Sequence, residues 1–213
     1  MTSNNALNSS WSKVANMSEK ITNKFTFHGN AEIQRFEREL ITRFQEDSAS
    51  GNDTMTAVKR LVFGLAEEDA FESFEKIGAQ WAWYFGSTPQ FELESKQCAL
   101  DVLQDYITLH AAMLDPDVVV QMDYVGNTPE LVGTRLTCID KEFGLISELA
   151  EEDLNCIFCD EDDIEEVLES RGHNNVTVMS YQELDQLIID LRETAVYDFN
   201  RASNKQPVLL VKK

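Results

Sequence analysis

Residues 21–44 read ITNKFTFHGNAEIQRFERELITRF, and the apolar period changes once along them. Ile21, Phe25 and Phe27 fall on alternate positions, as in a strand with one face buried, and Gly29-Asn30 ends the pattern. From Ala31 onward Ile33, Phe36, Leu40 and Phe44 recur every three or four residues, the stripe of an amphipathic helix. A strand that runs straight into a helix is a β–α unit, and the rest of the chain can be read against it.

Downstream, QEDSASGNDT has the composition of a surface loop, and the stretch after it reads as an insertion with one or two short helices, over about residues 46–77. QWAWYFG (80–86) is the next strand, with Trp81, Trp83 and Phe85 on one face. Gly86-Ser87-Thr88-Pro89 turns the chain, and FELES returns with Phe91, Leu93 and Ser95 on one side, a hairpin. The period then lengthens again. Ala99, Leu103, Tyr106, Ile107, His110 and Leu114 form a helical stripe that stops at Asp115-Pro116, where proline cannot continue a helix. DVVVQMDYV and LVGTRLTCID are two further strands around a GNTPE turn.

The order β-α-β-β-α-β-β contains the split βαβ of a ferredoxin-like α+β fold plus an extra strand. Each helix has one apolar stripe, so both are expected on one face of an antiparallel sheet, leaving the other face open to insertions or partners. Three regions follow: residues 1–20 as a flexible arm, 21–141 as the ferredoxin-like domain, and 142–213 as an acidic, mostly helical extension. In that extension LISELAEEDL (145–154) and EDDIEEVLES (161–170) have helix-like spacing. NVTVM is a short strand, and Ser180 with Glu183 forms a capping box ahead of a helix carrying Leu184, Leu187, Ile188, Leu191 and Ala195. The tail QPVLLVKK is a candidate edge strand.

Three stretches resemble the YubB-type, or Api92-like, family of small bacteriophage and plasmid proteins: FTFHGNAEIQRFEREL, IGAQWAWY and VVVQMDYVGNTPELVGTRLT. The resemblance spans about residues 21–139, with Gln80 where the family pattern has Lys. It implies a ferredoxin-like fold and a mobile-element origin, and it implies no catalytic residues.

Charge sets the functional reading. The chain has 38 acidic against 18 basic residues, a formal charge of −20, and phosphate backbones and anionic lipids repel such a molecule. Direct nucleic-acid or membrane binding is not expected. The N-terminal stretch is rich in Asn and Ser and is not a secretory signal, and four cysteines in a chain of 213 residues fit free thiols in a reducing compartment. The expected location is the cytoplasm, the host's if the protein is phage-encoded. From Glu142 to Ser170 there are twelve acidic residues and no basic one.

Cys156 and Cys159 have CxxC spacing, but a structural zinc needs four ligands and only Cys138 and His173 are candidates for the rest. The alternative is a short buried apolar segment in which the thiols act as small hydrophobes. A redox role is disfavoured, because the carboxylates that follow raise a thiol pKa. DEDDIEEVLESR places Glu165 where a calcium loop needs glycine. Asp101 with Asp105, and Asp162 with Glu166, each stand one turn apart on a helix, the raw material of a metal-dependent nucleic-acid enzyme. The aromatic strand at 81–85 has only Lys96 nearby, too little positive charge for a base-stacking platform.

The expectation is therefore a non-enzymatic interaction protein without a cofactor. Its acidic surface, Glu151, Glu152, Asp153, Asp160, Glu161, Asp162, Asp163, Glu165, Glu166 and Glu169, would bind the basic site of a host nuclease, CRISPR or restriction effector, or polymerase. A metal-dependent nucleic-acid enzyme and a structural virion component are the competing classes.

Overall fold

The computed structural model describes residues 20–49, 83–84, 91–96, 99–126, 130–154, 156–158 and 177–209. Six strands form one antiparallel sheet: β1 (Lys20–His28), β2 (Trp83–Tyr84), β3 (Phe91–Lys96), β4 (Val119–Gly126), β5 (Glu130–Asp140) and β6 (Gly144–Leu154). Their spatial order is β2-β3-β1-β4-β5-β6. Among the described residues three helices accompany them, α1 (Ala31–Ala49), α2 (Asp101–Ala112) and α3 (Tyr181–Ala202). A separate parallel pair joins β7 (Cys156–Phe158) to β8 (Thr177–Met179).

The opening β–α unit folds as its periods dictate. Alternate β1 residues Ile21, Phe25 and Phe27 are buried, and they share one core with Ile33 and Leu40 of α1, Phe91 and Leu93 of β3, Leu103 and Ile107 of α2, and Val120 and Met122 of β4. Between strand and helix, Asn30 Oδ1 accepts from the amides of Glu32 and Ile33, which caps α1. α1 runs on to Ala49, five residues past the last position of its apolar stripe. The Ser180–Glu183 capping box that opens α3 forms as read.

Asn23 interrupts the β1 apolar run because it serves as a clamp. Fully buried, it donates to the Ile21 and Leu93 carbonyls and to Ser95 Oγ, and its Oδ1 accepts from Leu100 N at the start of α2. One side chain thus joins two strands and a helix with no polar group left over.

Two expectations are corrected. The sheet is covered on both faces, not one. α3 lies on the face opposite α1 and α2, where Ala195, Val196 and Phe199 pack on Val119, Leu136 and Cys138, and Leu184 and Leu191 on Val132. The reason is the second alternation of the sheet: Val119 of β4 and Val132, Leu136 and Cys138 of β5 share the face turned away from α1 and α2 and need a cover of their own. Residues 145–154 are also not a helix. They form β6, paired to β5 without interruption from Glu130↔Leu154 to Asp140↔Gly144.

The buried face of α2 also differs from its expected stripe. Gln104 and Thr108 are buried in it, whereas Tyr106 and Leu114 are 44% and 40% exposed. Gln104 Nε2 donates to the carbonyls of Val120 and Arg135, and Thr108 Oγ1 meets Thr137 Oγ1 at 2.5 Å. Polar side chains tolerate this position because the sheet supplies their partners.

Several expectations fall outside the described residues: the N-terminal arm to residue 19, the insertion from residue 50, Trp81 and Phe85, Cys98, Cys159, His173 and the end of the tail from residue 210. Residues 206–209, at the start of the tail, are not in a strand.

Candidate interaction surface

Helix or strand is undecided in the local pattern of residues 145–154, because Ile146, Ala150 and Leu154 are spaced by four, which suits a helix stripe and is also a multiple of the strand period. The preceding turn decides it. The Asp140 carboxylate accepts from Glu142 N at 2.7 Å and Phe143 N at 3.0 Å, folding the chain back. Gly144 follows at φ +77°, a conformation glycine adopts without strain. Those two amide donors hold the Asp140 carboxyl below the usual aspartate range.

Strand geometry then sorts the acidic residues differently from a helix. Glu151 and Asp153 lie on the α2 face of the sheet and Glu152 on the α3 face, all three exposed. Glu148 shares the face of Glu152 and is half-buried. The other predicted interaction residues, Asp160, Glu161, Asp162, Asp163, Glu165, Glu166 and Glu169, lie outside the described residues.

Glu151 is held in place. Tyr124 on β4, Gly133 on β5 and Glu151 on β6 stand side by side across three strands, and the Tyr124 hydroxyl donates to Glu151 Oε2. A Cβ on Gly133 would lie 2.4 Å from the Tyr124 oxygen and 3.0 Å from Glu151 Cβ, so the glycine is what lets the phenol ring cross β5. Burial and then the Glu151 carboxylate push the Tyr124 hydroxyl far above its ordinary pKa, keeping it a donor.

Beside this bridge Arg135 reaches up from β5 to α2. Its Nη1 lies 2.8 Å from Asp105 Oδ1 and donates to the Asp101 carbonyl and to Gln104 Oε1, both at 3.1 Å. Burial raises the Asp101 carboxyl, Arg135 opposes this, and Asp105 and Glu151 add to it. Asp101, Asp105 and Glu151, which local spacing could not associate, therefore meet around one guanidinium and one tyrosine. Positive charge already occupies the centre of this group, so it anchors α2 and β6 to the sheet.

A second polar chain fixes α3. His28 Nε2 lies 3.0 Å from Gln121 Oε1, Gln121 Nε2 donates to both Asp123 oxygens, and Thr134 Oγ1 donates to Asp123 Oδ1 at 2.7 Å. Arg192 of α3 completes the set with Nη2 at 2.5 Å from Asp123 Oδ2. Sequence reading missed this network and the Tyr124 bridge. Asp and Gln inside the apolar β4, and the isolated Gly133 in β5, were the available signals.

Of the cysteine candidates, Cys138 is buried beneath α3 in an apolar cluster, and burial raises its thiol pKa. Cys156, at the start of β7, is half-buried. Among the described residues no three His, Cys, Asp or Glu side chains are placed to hold a metal ion, and no helix is long and apolar enough to cross a membrane.

Fold and surface together define an α+β protein with a long, acidic strand at one border of an antiparallel sheet. Comparisons with protein-family models, with curated proteins and with solved structures give no match.

Proposed function

We propose that this protein is a non-enzymatic, phage-type interaction protein that uses its acidic surface to occupy the basic site of a host nucleic-acid-handling protein, such as a nuclease, a CRISPR or restriction effector, or a polymerase. It acts in the cytoplasm of the host. The observation that carries the reading is the placement of Glu151, Glu152 and Asp153 on an exposed strand hydrogen-bonded along its whole length to the sheet. Carboxylates two residues apart on one face of such a strand are spaced by about 7 Å. A fixed row of negative charge, on a chain whose net charge is −20, steers a basic partner into contact and discriminates against acidic ones.

The body fits a ferredoxin-like domain extended by two strands. The order β2-β3-β1-β4 with crossover helices α1 and α2 is that fold's arrangement, and β5 and β6 continue it. This supports the mobile-element reading suggested by the three resembling stretches.

The test is affinity purification from host lysate at low and high salt, with the wild-type chain and a Glu152→Lys/Asp153→Lys variant. A partner held at low salt, released at high salt and lost on charge reversal is the expected result, with circular dichroism unchanged. Retention of the same partner by the reversed variant would sink the proposal.

A further inference from the structure

The outer border of β6 is the last backbone of the six-stranded sheet among the described residues, so about half of its peptide groups point away from β5. Proteins ordinarily blunt such an edge by keeping it short, bulging it or placing proline in it. β6 has eleven residues, an uninterrupted register and no proline. Among the described residues its protective device is charge: Glu148, Glu151, Glu152 and Asp153, with no Lys or Arg in the strand. Four carboxylates and no cation discourage a second copy of the same strand and favour a cationic one. The α2 face of β6 also bears Leu145 and Leu149, 39% and 47% exposed, on the same row as Glu151 and Asp153.

We propose that this edge takes up an extended, basic segment of the partner as a seventh strand, by β-augmentation. The inference rests on the acidic-surface reading above and adds to it the mode of contact. Backbone hydrogen bonds supply the docking, and alternate side chains supply the choice of sequence. Opposite β6 the added strand carries apolar side chains against Leu145 and Leu149, and Lys or Arg against Glu151 and Asp153. On its other face Lys or Arg meets Glu148 and Glu152.

A synthetic peptide of about ten residues with that pattern, titrated into the full chain, tests the mode. Two more peptides of equal charge carry N-methyl groups on one or the other set of alternate residues. The expected result is that one methylated peptide binds like the parent and the other at least about tenfold more weakly, since only one set of amides faces β6. Hydrogen–deuterium exchange should slow along residues 144–154 when the parent peptide binds. Equal binding by all three peptides, or protection elsewhere in the chain, overturns augmentation and leaves the acidic-surface reading standing. A homodimer in sedimentation with residues 144–154 already protected also overturns it. Loss of the lysate partner in the Glu152→Lys/Asp153→Lys variant reports separately on the acidic-surface reading.

Discussion

β1 and β6 are built on the same pleat and reach opposite outcomes. In β1, Phe25 is 1% exposed, with β3 on one side, β4 on the other, and α1 and α2 above. In β6, Leu149 is 47% exposed, with β5 on one side, and its row on the α2 face ends in Glu151 and Asp153. Position in the sheet, more than residue type, decides whether an apolar side chain is core or surface. An acidic strand can be part of the folded body and still present its charge to a partner.

The comparison predicts the largest contrast in stability. Phe25→Ala removes a ring that packs on Phe91 at 5.3 Å and should cost about 3–5 kcal/mol by urea denaturation. Leu149→Ala should cost under about 0.5 kcal/mol. Similar losses for both would mean that β6 is covered as β1 is.

Next in size, Gly133→Ala drives a methyl group into the Tyr124 hydroxyl and should cost about 1–3 kcal/mol. At Gly144 a Cβ meets nothing, so the penalty of Gly144→Ala is limited to the backbone, about 1 kcal/mol. A larger loss at Gly144 than at Gly133 would show that the Tyr124–Glu151 bridge is not what makes the glycine in β5 necessary.

A smaller effect is read against pH. The folded pKa of Asp101 is raised above its ordinary value of 3.8, so the folded state binds this proton more tightly. Its contribution therefore improves stability as pH falls through the raised value towards 3.8, and weakens it as pH rises through the same window. Asp140 and Glu183, both lowered, have the opposite sign: their stabilisation is present above the ordinary carboxylate values and is lost as pH falls through their folded ones. The wild-type curve mixes these signs, so the quantity to measure is its difference from Asp101→Asn. The variant should gain on the wild type as pH rises through that window, and a flat difference would remove Asp101 from the account.

Smallest for stability is charge reversal at Glu152 and Asp153, within about 0.5 kcal/mol of wild type. That near-neutrality makes the pair suitable for testing binding.

Much of the architecture was legible along the chain. β1, α1, β3, α2, β4 and β5 follow from single-period runs bounded by turn residues, and Ser180–Glu183 marks the start of α3. At Ile146, Ala150 and Leu154 the pattern could not decide, because a spacing of four fits both periods. Of the acidic residues, Glu151, Glu152 and Asp153 were recognisable as surface from composition. Their division between two faces of a strand, and the fastening of Glu151, were not.

The amino-acid sequence by itself determined the charge, the one-sided strand of the opening β–α unit and the acidic run without a basic residue, because composition and short-range period are local properties. Only the tertiary structure decided that β6 is a strand, that α3 covers the second face, and that Tyr124 reaches Glu151 across Gly133. Those outcomes depend on which backbone lies alongside, and the residues concerned lie far apart along the chain, as Asp123 and Arg192 do at 69 positions.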